Sequence, residues 1–136
     1  MVWLLITKRT KVLSNEYSNV TVDIKVDLEK DINLKVSFEE VKQLGIVINE
    51  LITNIFKHAF VDNHSPSIIF RAIMENENLL IVQLSDNGIG INLDSMSKTE
   101  NSFGLKMVTS ICEQLDWTLK MKNLAKGAAF SIKINL

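Results

Sequence analysis

Residues 50–60 read ELITNIFKHAF, an apolar run interrupted by Glu50, Asn54, Lys57 and His58. Upstream, SFEE at 37–40 is a capping box: Ser37 can cap a helix while Glu40 reaches back to its amide. The spacing predicts one helix from there to about Phe60, with Val41, Leu44, Ile48, Leu51, Ile55 and Ala59 on its buried face. At about 100° per residue, Gln43, Val47, Glu50, Asn54, Lys57 and His58 fall on the opposite side. An acid, an amide and two potential cations therefore gather on one face, away from the main core.

The segments around this helix alternate with a different period. Val20, Val22, Ile24 and Val26 interleave with Thr21, Asp23, Lys25 and Asp27, the signature of a strand with one wet face. Ile32, Leu34 and Val36 repeat the pattern after Glu29-Lys30-Asp31, so the two are expected to form a hairpin. A short amphipathic helix is expected over Leu4–Leu13. After a polar loop with Asp62, Asn63, His64 and Ser65, SIIFRAIM (67–74) and LLIVQL (79–84) read as strands joined by ENEN. INLDSMSKTENS (91–102) lacks periodicity and reads as a loop. A helix is expected from Gly104 to about Leu115, with Leu105, Val108, Ile111, Cys112 and Leu115 inward. WTLKM (117–121) and AAFSIKI (128–134) complete a hairpin around Asn123–Gly127. This order predicts an α+β fold: a two-layer α/β sandwich whose mixed, mostly antiparallel sheet carries its helices on one face.

Composition bounds the rest. The 136 residues, 46% hydrophobic, suit one domain with a real core, so a single domain over 1–136 is expected. A formal net charge of −1 gives no sign of a nucleic-acid surface or a polybasic membrane patch. The single cysteine, Cys112, excludes an intramolecular disulfide, and no Cys/His spacing suits zinc. The apolar start, Val2 to Ile6, is too short to span a bilayer. The segment is expected to be cytoplasmic, with no direct membrane contact, whether or not a parent protein is membrane-attached.

Three stretches can carry chemistry. Glu50 and Asn54 lie one helical turn apart and offer hard oxygens suited to Mg²⁺ and its waters; Lys57 and His58 add donors for phosphate oxygens. As a bare pattern, E-x3-N-x2-K is more often a solvated helix face. SDNGIG (85–90) follows a strand directly: Asp86 can accept from an exocyclic amine, and Gly88 and Gly90 permit close approach and positive φ. An Asn-Gly hairpin turn would explain the glycines equally well, but the sequence continues as a polar loop rather than a strand. NSFGLKMV (101–108) places a glycine at a helix start, where free amides and the dipole favour phosphate. No G-x-x-x-x-G-K-[ST] is present, which excludes a P-loop.

Taken in order, with Gly127 before an apolar strand, these pieces resemble the Bergerat-fold (GHKL) ATPases, and NELITNIFKHAF (49–60) resembles the N-box of sensor histidine kinases. The similarity extends through VTVDIKVDLE and QLGIVINEL upstream and SDNGIG, SFGLKMV and GAAFSIKI downstream. The resemblance implies the ATP-binding catalytic domain of a two-component kinase, with ATP and Mg²⁺ as cofactors. It implies that Asn54 binds Mg²⁺, that Lys57 and His58 face the phosphate tail, and that Asp86 accepts from the adenine amino group. Gly88 and Gly90 would form the pocket floor and hinge, residues 91–103 the ATP lid, and the amides at Gly104 and Leu105 would meet phosphate. Glu50 falls at the catalytic position held by the water-activating base in the hydrolysing members, where in kinases the carboxylate would instead polarise the attacking group or tune Mg²⁺. Implied partners are a histidine-bearing dimerisation domain and a sensor domain, both absent from this segment, and a response regulator.

The chain departs from that pattern in places. The motif usually begins Gly-Thr, whereas Ala128 follows Gly127, so a hydroxyl that would support Asp86 is missing. Ile55 and Phe56 replace smaller residues, and the lid holds one cation, Lys98. His64, beside Pro66, reads as a loop residue rather than a phosphoacceptor. Two other readings stay open: an anti-sigma-factor-type serine protein kinase, and a degenerate domain that binds a partner without catalysis.

Overall fold

The computed structural model describes residues 22–28, 36–60, 62–91 and 103–136. Strand β1 (Asp23–Leu28) is followed by helix α1 (Phe38–Asn54), which continues as a π-helical turn over Ile55–Ala59. Strands β2 (Ser67–Asn76) and β3 (Leu79–Asp86), helix α2 (Phe103–Gln114) and strands β4 (Thr118–Asn123) and β5 (Ala128–Asn135) complete the order. The expected helix over Leu4–Leu13, the second strand of the first hairpin (32–35) and the lid segment 92–102 lie outside the described residues.

The five strands lie in the order β1-β2-β3-β5-β4. β1 runs parallel to β2, with Asp23 opposite Ser67, and the other pairs are antiparallel. A parallel neighbour requires a crossover connection, and α1 supplies it. The alternation in β2 and β3 puts Ile68, Phe70, Ala72, Leu80, Val82 and Leu84 on one face, where β5 adds Phe130, Ile132 and Ile134; all are buried. Both helices contribute to the same core, through Ile48, Leu51, Ile52, Ile55, Phe56 and Ala59 from α1 and Val108 and Cys112 from α2. On the other face Arg71 of β2 pairs with Asp27 of β1 at 3.1 Å.

The capping box forms as read: the Glu40 amide donates to Ser37 Oγ at 3.1 Å, and the Ser37 amide donates to Glu40 Oε2 at 2.9 Å. Such a cap stabilises the helix by about 1 kcal/mol over alanine. The helix departs from the expected pattern twice. Val47, placed by its phase among the outward residues, is completely buried, because α2 packs on that side of α1. The far side of α1 is thus buried at Val47, between the half-buried Gln43 and Glu50. Its last five residues are also wound as a π-helix rather than an α-helix.

Helix α2 ends on a residue in the left-handed region, Asp116 at φ 56°. The Trp117 amide donates back to Cys112 O at 2.7 Å and the Asp116 amide to Glu113 O at 3.3 Å. This pair of bonds is a Schellman motif, with aspartate where glycine is usual. It turns the chain so that Trp117, buried in the core, leads directly into β4.

Candidate nucleotide site

Asp86 closes β3 opposite Ile68. It is the one charged side chain among the described residues that is buried, at 6% exposure. Burying a carboxylate is costly unless hydrogen bonds compensate. Two backbone amides do so here: Gly88 donates to Asp86 Oδ1 at 2.8 Å, and Ala128 donates to the same carboxylate. Burial pushes the Asp86 pKa up, and the two amides pull it partly back. A buried carboxylate at a strand end, with its geometry fixed by neighbouring backbone, is a functional-site signature. The hydroxyl missing at position 128 is therefore not the only source of support, since the amide of Ala128 reaches Asp86 whatever side chain it carries.

The loop after Asp86 is held on several sides. A Cβ on Gly88 would run into the Ala59 backbone and come within 2.6 Å of Ala59 Cβ. The Ile89 amide donates to Ala59 O at 3.0 Å, so the end of the π-turn and the glycine loop are locked together. Gly90 takes φ 84°, the left-handed conformation its lack of Cβ permits. The two glycines thus divide the roles assigned to them jointly: Gly88 serves close approach and Gly90 serves positive φ. On the third side Asn87 binds the loop entering β2. Its Oδ1 accepts from the Ser67 amide at 2.8 Å and from Asn63 Nδ2 at 3.1 Å, and its Nδ2 donates to Ser65 O at 2.8 Å.

The remaining candidates lie on the helices. Glu50 is half-buried, with its Oε2 seated where a Cβ on Gly104 would be, at the first turn of α2. Asn54, one turn further along α1, is half-buried, and Lys57 and His58 are exposed on the π-turn. Gly104 and Leu105 open α2 and are both half-buried. The structure therefore brings Glu50 against Gly104, and Asp86 with Gly88 and Ala128, and it joins the end of α1 to the 86–91 loop through Ala59.

Three participants were not among the sequence candidates. Asn87 and Asn123 both hold the loop with their side chains, and Ala59 holds it with its carbonyl. Asn87 was visible only as half of an Asn-Gly pair. Asn123 lies 32 residues from its partner, Ile91, and nothing local marks such a contact.

Residues 39–136 match the family described as histidine kinase-, DNA gyrase B-, and HSP90-like ATPase. The chain belongs to that family. It is 28% identical over 113 residues to blue-light-activated histidine kinase 2 of Erythrobacter litoralis (strain HTCC2594), an alignment covering 83% of this chain and 32% of the relative. The chain thus spans about a third of the length of this curated relative. Its fold is similar to the histidine kinase domain of the Erythrobacter litoralis EL346 blue-light activated kinase, with TM-score 0.79, 23% identity, and 96% and 59% of the two chains covered. It is also similar to full-length ShkA, solved in complex with AMPPNP, with TM-score 0.74, 14% identity, and 96% and 29% covered. Among the described residues no helix is long and apolar enough to cross a membrane.

Proposed function

We propose that this chain is the ATP-binding catalytic domain of a sensor histidine kinase, holding Mg·ATP between the polar end of α1, the 86–91 loop and the first turn of α2. The observation that carries this reading is Asp86, a buried carboxylate fixed at a strand end by the Gly88 and Ala128 amides. Its role is to accept from the adenine amino group and so to select adenine over guanine, which carries a carbonyl at the equivalent position. The close packing of Gly88 on Ala59 makes the pocket floor. Similarity to a protein solved with AMPPNP supports the nucleotide class.

The phosphate end falls to Asn54, Lys57, His58 and the amides of Gly104 and Leu105 at a helix N-terminus. Among the described residues no group of three or more His, Cys, Asp or Glu is placed to hold a metal ion. That fits a Mg²⁺ site in which one or two protein oxygens act together with nucleotide phosphates. Asn54 is the side chain we assign to it, and Mg²⁺ there would neutralise phosphate charge. Glu50, against the first turn of α2, would orient the reacting end of the nucleotide. The acceptor histidine, the dimerisation and sensor domains and the response regulator belong to the rest of the parent kinase in this reading, and the segment itself works in the cytoplasm.

Calorimetric titration with ADP, with and without Mg²⁺, tests the proposal on the chain as it stands. Binding should require Asp86, failing in Asp86→Asn, and its gain from Mg²⁺ should vanish in Asn54→Ala. No binding of ADP at millimolar concentration to the wild-type chain would overturn the reading and favour a partner-binding domain without catalysis.

A further inference from the structure

Asn123, the last residue of β4, uses its side-chain amide as a backbone unit would. Its Oδ1 accepts from the Ile91 amide at 2.6 Å and its Nδ2 donates to Ile91 O at 2.8 Å. Both polar groups of one residue in the 86–91 loop are therefore paired with a single side chain from a different hairpin. The contact leaves no slack. A Cβ on Gly90 would come within 2.8 Å of Asn123 Oδ1 and 3.4 Å of Gly127 O, and a Cβ on Gly127 would run into the Asp86 backbone. The β4–β5 turn is itself closed by the Leu124 amide donating to Gly127 O at 3.0 Å, with Gly127 at φ 91°. Asn123, Gly127, Gly90 and Asp86 thus form one packed series, in which the turn between β4 and β5 sets where the loop beyond Asp86 runs.

We propose that Asn123 is a positioning residue for the adenine half of the nucleotide: by pinning Ile91 it fixes the Gly90–Ile91 backbone as a wall of the pocket beside Asp86. This inference rests on the reading of Asp86 as the adenine acceptor. Preorganisation is the physical content of the role. A loop already held in its binding conformation loses less freedom when ligand arrives. Both hydrogen bonds are exposed, so water can replace them when the side chain is removed, and an Asn123→Ala chain is expected to fold. What it loses is the fixed course of residues 90–91.

The test compares the full chain with Asn123→Ala and Asn123→Asp, using ADP and inorganic tripolyphosphate as probes in the presence of Mg²⁺, and hydrogen exchange at the Ile91 amide without nucleotide. Asn123→Ala should weaken ADP binding roughly 5- to 30-fold, the effect of losing one or two kcal/mol, and leave tripolyphosphate binding unchanged. Exchange at Ile91 should quicken. Asn123→Asp, which keeps the acceptor for the Ile91 amide and loses the donor to its carbonyl, should fall between. Equal ADP affinity in Asn123→Ala, unchanged exchange at Ile91, or a parallel loss of ADP and tripolyphosphate would each overturn the assignment. Failure of the wild-type chain to bind ADP is a separate result, read without any variant. It would remove the nucleotide reading itself and this inference with it.

Discussion

Gly88→Ala is the substitution whose consequence follows most directly from the geometry. The new methyl would lie 2.6 Å from Ala59 Cβ and closer still to the Ala59 carbonyl, whereas carbon atoms pack at about 3.5–4.0 Å. Roughly 1 Å must therefore be opened between the 86–91 loop and the end of α1, and the obstacle is backbone, which cannot rotate away. Overpacking of this kind costs about 1–3 kcal/mol. The shift also stretches the Ile89–Ala59 hydrogen bond, now 3.0 Å, adding about 0.5–1.5 kcal/mol. Reduced freedom of the unfolded chain returns about 0.4–1 kcal/mol. The expected net loss is about 0.5–4 kcal/mol, centred near 2, accompanied by loss of ADP binding. Gly104→Ala is the matched control, because there the added methyl meets the far end of the Glu50 side chain, which can swing aside. Its stability should stay within about 1 kcal/mol of wild type, since alanine is also the better helix former. Urea denaturation of both variants beside wild type measures the contrast. If Gly88→Ala were as stable as Gly104→Ala, the close packing of loop on helix would not be a real constraint, and the reasoning would fail.

Two further outcomes are expected. The Asp86 pKa is raised in the folded chain, so the native state holds a proton over a pH range in which the unfolded state, with an ordinary value near ~3.9, has released it. The stability tied to the protonated form is complete below the unfolded value and is lost as pH rises through the folded one. Urea midpoints of wild type should therefore fall relative to Asp86→Asn as pH rises from that lower bound and then level off; a difference that is flat or grows in favour of wild type would contradict the burial argument. Asp116 at φ 56° sits where glycine bears no Cβ penalty, and an L-residue there costs about 1–2 kcal/mol. Asp116→Gly should raise stability by about 0.5–1 kcal/mol and Tm by about 2–5 °C, with ADP affinity unchanged.

Local patterns made the elements legible, and distance in sequence hid what joins them. The capping box at Ser37–Glu40, the alternation of β2 and the helix opening at Gly104 each lie within a few residues of their cause. Asp86 and the two glycines were legible because a strand that ends in Asp-Asn-Gly without entering a second strand is a local anomaly. Val47 was misplaced for the opposite reason. Helical phase locates a residue on a face, but only the packing of α2, more than fifty residues later, decides whether that face is wet. Asn123 and Ala59 act through contacts of the same long range, one of them through a carbonyl that every residue possesses. The support that Ala128 gives Asp86 was hidden likewise, since a side-chain comparison notices the missing hydroxyl and overlooks the amide.

The π-turn follows from a conflict in the sequence that α-helical phase alone would leave unresolved. Apolar pairs at 51–52, 55–56 and 59–60 and polar pairs at 49–50, 53–54 and 57–58 both repeat every four residues. In an α-helix each such repeat advances the pattern by about 40°, because 3.6 residues complete a turn. Two repeats would carry it about 80°, turning Phe60 that far from the line of Ile52. A π-turn, bonded i to i+5, advances less per residue and so returns a four-residue repeat closer to its own face. Winding Ile55–Ala59 this way keeps Ile55, Phe56 and Ala59 buried, sets Phe60 edge-on to Phe56 with ring centroids 5.7 Å apart, and leaves Lys57 and His58 exposed. It also delivers the Ala59 carbonyl to the Ile89 amide. The same local overwidening therefore satisfies the core and sets the helix end against the loop that follows Asp86. The bulk of Ile55 and Phe56 is thereby taken up in the core.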